Sequence, residues 1–193
     1  MDIELYGMLG FLSLLSVVVY FWFFSIPLKT AVYGILIGGP ASFLIAMLLE
    51  LFALSYFSLM LLIILIAPVI EESAKFVLTV KGGMKRGVAV GMGFAWLENI
   101  LYYNSFFQIF TTLFFLREFS DPILHGTTTG LATKAWKGKV QWFGVAVLLH
   151  VAWNAISFII ITNPNWIFLF VFIYGAILYI GLKKDVKINK MEK

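Results

Sequence analysis

The chain contains no cysteine, which removes disulfides and thiolate metal sites and leaves a metal only Glu, His, Asp or Asn as ligands. Charge is scarce: 12% of the 193 residues are Asp, Glu, Lys or Arg, against about 25% in a soluble domain, so most of the surface must face lipid. There are two histidines and five prolines. Neither a repeat of clear period nor a low-complexity segment is present. What abounds is hydrocarbon, with 62% apolar residues. At about 25 residues per span and its connection, the length accommodates roughly seven transmembrane helices and no soluble domain. The net charge of +4 arises from basic residues in short connections and in the tail, where membrane topology accounts for them without nucleic acid. The expected surroundings are membrane lipids.

The fold class expected is therefore all-α, a polytopic transmembrane bundle, with residues 1–182 as one membrane domain and 183–193 as a basic cytoplasmic tail. Apolar runs place spans at 5–26, 31–49, 51–80, 87–116, 122–136, 140–161 and 166–182. Asp2 and Glu4 stand where a cleavable signal peptide would be basic, so the first span reads as a retained helix. Gly39-Pro40 predicts a kink, and Pro68 predicts a break in the long third segment. Asp121-Pro122 predicts a helix start, with Asp121 as cap and Pro122 at the first helical position. Arg117, Glu118 and Asp121 then read as solvated loop charges, and Glu50 as an interfacial one. Gly87, Gly91 and Gly93 read as a close-packing face. Lys29, Lys81, Lys85, Arg86, Lys134, Lys137, Lys139 and the lysines of the tail fall on one side and Arg117 on the other, which puts the amino terminus outside and the carboxyl terminus in the cytosol.

Against this background Glu71-Glu72-Ser-Ala-Lys75 stands out, because it sets two carboxylates and an amine in an apolar run. An ionised side chain at mid-membrane costs about 2.5–3.5 kcal/mol on insertion scales, so such groups require compensation. Glu71 lies ten residues before Lys81, Glu98 twelve after Arg86, His125 nine before Lys134 and His150 eleven after Lys139. At about 1.5 Å rise per residue, all four sit at roughly the same depth. Both histidines of the chain belong to the set. Lys75 shares a helix face with Glu71, and Asn154 shares one with His150. Tyr102, one turn beyond Glu98, is placed to bond it. Three uses compete for such a cluster. One is hydrolysis by a carboxylate that activates water, with or without a metal; the others are proton-coupled transport and a structural polar network in a scaffold.

Four ordered motifs, Glu71-Glu72-x-x-Lys75, Phe94-x-x-x-Glu98-Asn99, His125-Gly-x-x-Thr-Gly130 and His150-x-x-Trp-Asn154, resemble the PrsW family of intramembrane proteases over about residues 60–160. That family is grouped with type II CAAX prenyl endopeptidases, bacteriocin-immunity-type membrane proteases and the Aph scaffold subunit of gamma-secretase. The resemblance implies an endopeptidase acting on a membrane-anchored protein, with the plasma membrane of a prokaryote as its location. It also implies that Glu71 and Glu72 form the glutamate motif, with one as general base. Glu98, His125 and His150 would hold water or zinc, and Asn154 would stabilise the oxyanion; a metal-free mechanism stands as the alternative. Glu98 stands where CAAX enzymes carry histidine and Lys75 where they carry arginine, which argues against a prenylated substrate. The Aph member keeps a non-catalytic scaffold among the readings, beside a proton-coupled transporter.

Overall fold

In hydrocarbon, long apolar runs can satisfy their backbone N–H and C=O groups only within helices or closed barrels. The computed structural model describes residues 3–80, 82–106 and 111–162, and helices are the only regular elements among them. They form six segments: α1 (Ile3–Phe23), α2 (Leu28–Ala53), α3 (residues 59–77), α4 (Gly83–Phe106), α5 (Thr111–Ala132, prolonged by the 3-10 turn Thr133–Lys137) and α6 (Gln141–Thr162). Among the described residues, Leu28–Ala53 and Gln141–Phe158 are long and apolar enough to cross a membrane, and Ser13–Phe23 is a shorter apolar helix.

Two prolines are accommodated by the same device. A π-helical turn, Gly34–Gly38, precedes Pro40, and another, Leu62–Ile66, precedes Pro68. In each, the residue before the proline bonds five residues back, Gly39 N–H to the Gly34 carbonyl and Ala67 N–H to the Leu62 carbonyl. The widened turn absorbs the missing N–H and the ring's collision with the preceding turn. These are the physical forms of the irregularities expected at Gly39-Pro40 and near Pro68.

Pro122 behaves differently and overturns an expectation. It lies inside α5 rather than at a helix start, so residues 117–122 form no loop. A proline at this position leaves the carbonyl of Glu118 without its helical donor, and the Ser16 hydroxyl of α1, shared with the Ser13 carbonyl at 2.8 Å, reaches it at 3.2 Å. With that carbonyl satisfied, the helix continues through the proline. Two other boundaries also move. The expected third segment 51–80 is divided by a turn at 54–58, after which Ser58 caps α3 by accepting from the Leu61 N–H. The expected fourth segment 87–116 is divided between α4 and α5. The seventh span, 166–182, and the tail lie outside the described residues.

α4 is the central element, packed by α5, α1, α2 and α3. Val17 and Phe21 of α1 bury themselves against Val88, Ala89 and Met92 of α4. Two glycines set its approach to its neighbours. A Cβ on Gly93 would overlap the Gly34 carbonyl of α2, and one on Gly91 would overlap the His125 carbonyl of α5. Small residues permit such close helix crossings in membranes. Gly91 thereby draws the backbone bearing His125 against the helix that carries Glu98.

Candidate active site

α3 supplies Glu71, Glu72 and Lys75 from one face, and Ala67, Pro68 and Ala74 around them are buried as well. α4 supplies Glu98 and Asn99, α5 supplies Arg117, Asp121, His125, Thr128 and Thr129, and α6 supplies His150. Glu72, Lys75, Thr128 and Thr129 are fully buried, and His125 and His150 are nearly so. The four positions expected at one depth therefore meet.

The two carboxylates of the glutamate pair have different surroundings. Glu72 is saturated: Oε1 lies 2.8 Å from Lys75 Nζ and 3.0 Å from His150 Nδ1, and it accepts from Thr128 Oγ1 at 2.9 Å. Its Oε2 accepts from Thr129 Oγ1 at 3.3 Å. Glu71 is loosely held. Its Oε2 lies 3.5 Å from Lys75 Nζ and 3.8 Å from both His125 Nδ1 and His150 Nε2.

The groups facing each imidazole determine its tautomer. Glu72 Oε1 offers His150 Nδ1 only an acceptor, so the proton sits on Nδ1 and the Nε2 lone pair faces Glu71. Lys75 Nζ, a donor, lies 2.6 Å from His125 Nδ1, while Glu98 Oε2 lies 2.7 Å from Nε2. His125 therefore carries its proton on Nε2 and turns the Nδ1 lone pair inward. The rings meet edge to face with centroids 4.8 Å apart. Phe94 packs against His125 and lies 4.3 Å from Lys75 Nζ, forming an apolar wall.

Behind His125 lies an ionic cluster that the sequence analysis did not anticipate. Arg117 reaches Glu98 Oε1 at 2.8 Å and Asp121 Oδ2 at 2.9 Å, and its Nε donates to Asn99 Oδ1 at 3.2 Å. Arg117, partly buried, is thus the cation shared by Glu98 and the buried Asp121 and not a loop charge, and Glu118 is buried as well. The available signal was the unmatched charge of Glu98, since a buried carboxylate calls for a cation within reach. Thr128 and Thr129 were also missed, although a run of three threonines follows His125 in an apolar setting. Glu50, expected at the interface, is half-buried.

Two groupings of side chains among the described residues place possible metal ligands within 4.8 Å of one another: Glu71, His125 and His150, and Glu98, Asp121 and His125. The geometry therefore joins both histidines to Glu71, whereas the expected trio joined them to Glu98. In the second grouping the Arg117 guanidinium already serves as the cation. The first grouping fits a divalent metal by its chemistry. Two neutral imidazoles present lone pairs beside a carboxylate, and each distal nitrogen faces a carboxylate, the arrangement usual around metal-bound histidine. Among the described residues, four carboxylates, Glu71, Glu72, Glu98 and Asp121, also face two cations, Lys75 and Arg117. Lys75 takes the His125 lone pair in this structure, so a metal there requires its ammonium to withdraw toward Glu72.

Asn154 does not reach these groups. Its side-chain amide donates to the Ile63 carbonyl at 2.9 Å, within the π-helical turn ahead of Pro68. That contact ties α6 to α3 and commits the donor expected for an oxyanion. The side chain of Tyr102 lies outside the described residues.

The class that fold and site define is an all-helical protein, with two helices long and apolar enough to cross a membrane among the described residues and a buried histidine–carboxylate centre. The model of the PrsW family of intramembrane metalloproteases matches residues 24–182, and the chain belongs to that family. No curated protein and no solved structure matches it. Membership supports a membrane protease acting on a membrane-anchored protein.

Proposed function

We propose that the protein is an intramembrane endopeptidase in which Glu71 activates the attacking water. The observation carrying this reading is that His125 Nδ1 and His150 Nε2 each lie 3.8 Å from Glu71 Oε2. That separation is too long for a direct hydrogen bond, so Glu71 Oε2 and His150 Nε2 are both able to accept from a water, while Lys75 Nζ occupies the His125 lone pair at 2.6 Å. Water there gives one proton to Glu71 while its oxygen attacks the peptide carbonyl carbon, and its second hydrogen stays on that oxygen and donates a hydrogen bond to His150 Nε2. When the C–N bond breaks, Glu71 returns the proton to the leaving amine. Glu72 orients His150, Glu98 orients His125, and the Lys75 ammonium offsets negative charge developing at the centre. In a zinc form Glu71, His125 and His150 would hold the metal, which in place of Glu71 would acidify the water and would also polarise the scissile carbonyl.

The buried polar centre at the meeting of α3, α4, α5 and α6 supports a multi-pass arrangement. With Arg117 removed from the loops, the other basic residues flanking the described helices lie in or beside the connections after α1, α3 and α5, as Lys29, Lys81, Lys85, Arg86, Lys134, Lys137 and Lys139, while 54–58 and 107–110 hold none. This favours the amino terminus outside, and residues 183–193 as a cytoplasmic tail behind a single membrane domain. The plasma membrane of a prokaryote is the proposed location.

The test is cleavage of single-span peptides in liposomes by wild type, Glu71→Gln and His150→Ala, with and without metal chelation. Glu71→Gln is expected to lose about 10²–10⁴-fold in rate. Cleavage that survives Glu71→Gln would contradict the assignment of the base, and undiminished cleavage after thorough metal removal would exclude zinc. A folded protein that cuts no peptide but stabilises a co-purifying membrane protein through His150 would instead be a scaffold.

A further inference from the structure

We infer that Ser13, Asn99 and Glu118 form a water-binding pocket between α1, α4 and α5, and that this pocket is the inlet by which water reaches the histidine–carboxylate centre; its use as an inlet rests on the hydrolytic reading of that centre. Hydrolysis consumes water and hydrocarbon holds none, so the centre requires a polar path to an aqueous face. Buried polar atoms that find no protein partner mark such a path, because ordered water is what ordinarily satisfies them. Among the described residues, five of the seven buried side-chain atoms that form no hydrogen bond belong to one cluster: Ser13 Oγ, Glu98 Oε2, Asn99 Nδ2, Glu118 Oε2 and Asp121 Oδ2. They are gathered on one side of the centre, not scattered through the bundle.

The pocket lies where three helices meet. The Ser16 hydroxyl reaches the carbonyls of Ser13 and Glu118 at 2.8 and 3.2 Å, which joins α1 to α5. Arg117 Nε donates to Asn99 Oδ1 at 3.2 Å, which joins α5 to α4. The Glu118 carboxyl is turned toward the Ser13 hydroxyl and the Asn99 side chain, and all three residues are buried, Ser13 and Asn99 to 1% exposure and Glu118 to 4%. The unpaired atoms identify the ligand. Because Arg117 holds Oδ1, the Asn99 amide offers the pocket its N–H donors. A donor beside a carboxylate acceptor and a hydroxyl that serves as either suits water, whereas a metal cation would meet the amide hydrogens.

The path onward is also polar. Glu118 precedes His125 by seven residues, about 10 Å along α5 and toward the outer face in the proposed topology. The Arg117 side chain, 30% exposed, runs between the two levels and holds Glu98 Oε1 at 2.8 Å and Asp121 Oδ2 at 2.9 Å. Glu98 Oε2 then lies 2.7 Å from His125 Nε2. Toward the cytoplasmic side Lys75 is instead followed by hydrocarbon: Phe76 stacks on Trp136 with ring centroids 4.2 Å apart and packs against Phe143. The outer face is therefore the side from which polar groups lead to the centre.

The experiment is water-edited solid-state NMR of the full 15N-labelled chain in liposomes, without substrate, in which magnetisation starts on water protons and its arrival at each N–H is timed. In the wild type, the Asn99 side-chain amide and the ring N–H of His125 are expected to receive it well before the backbone N–H of Ala89, which is fully buried in the core between α1 and α4. Ser13→Leu replaces the hydroxyl by branched hydrocarbon and is expected to delay Asn99 to the Ala89 time and to delay His125 with it. Ser13→Val is the smaller plug and carries the test if Ser13→Leu fails to fold. Asn99 lagging with Ala89 in the wild type would show a dry pocket and overturn the inference. A delay at Asn99 that leaves His125 unchanged would reduce the pocket to a closed water site and overturn its role as inlet. Where a cleaved peptide is in hand, the plugged variant should lose kcat with KM little changed, and an undiminished kcat would likewise overturn the inlet. The NMR readout needs no hydrolysis, so early transfer to Asn99 and His125 in a protein that cuts no peptide would refute the protease reading alone.

Discussion

The centre is built from two arms, each a histidine backed by a glutamate, and they are held in different ways. In the α6 arm, His150 rests on Glu72, whose oxygens are surrounded by Lys75, Thr128 and Thr129 at 2.8–3.3 Å. In the α5 arm, His125 rests on Glu98, which is held from behind by Arg117. The first arm spreads a buried charge over several donors close by. The second places a fixed cation one step further from the centre. Both end with a ring nitrogen 3.8 Å from Glu71, the less engaged carboxylate of the pair, that of His125 being taken up by Lys75 at 2.6 Å. One structural outcome is reached by local saturation on one side and by a relay of charges on the other.

If the arms differ in this way, their mutants should differ too. Glu72→Gln removes the closest anion of Lys75 and leaves a buried cation poorly paired, so a loss of about 3–5 kcal/mol is expected in unfolding measured in detergent. Glu98→Gln should cost less stability, because Arg117 retains Asp121 at 2.9 Å. Its expected effect is functional, about 10- to 100-fold in zinc affinity or peptide cleavage by a folded protein. Equal stability losses would erase the distinction between the arms. Thr128→Val takes one of several donors from Glu72 and should cost about 1 kcal/mol in the same unfolding assay. Asn154→Ala breaks only the tie to Ile63, so roughly 0.6 kcal/mol of stability is expected with kcat unchanged; a large fall in kcat would return Asn154 to the reacting atoms.

The first arm was more legible in the sequence than the second. Polar residues in apolar helices are costly and few, so Glu71, Glu72, Lys75, Glu98, His125 and His150 could be picked out singly and their common depth checked against the loops. The identity of the carboxylate nearest both histidines could not be read, because depth fixes height along a helix but not which way each side chain turns. The relay behind His125 was hidden for another reason. Arg117-Glu-Phe-Ser-Asp121-Pro122 has the composition of a solvated turn, and proline after aspartate resembles a helix start. The deciding contact, Ser16 to the Glu118 carbonyl, spans 102 residues and leaves no local trace. Prolines 40 and 68 were legible as irregularities because their π-helical turns are solved within their own helices.

The central claim is that Glu71 sends water to the peptide carbonyl between the two histidines. Its most direct test is single-turnover cleavage of a single-span peptide in liposomes prepared in 18O-labelled water, with wild type and Glu71→Gln side by side. The account predicts one 18O in the new carboxylate during the first turnover of the wild type, and little or no product from folded Glu71→Gln. A first-turnover product without 18O, or cleavage undiminished in Glu71→Gln, would contradict it.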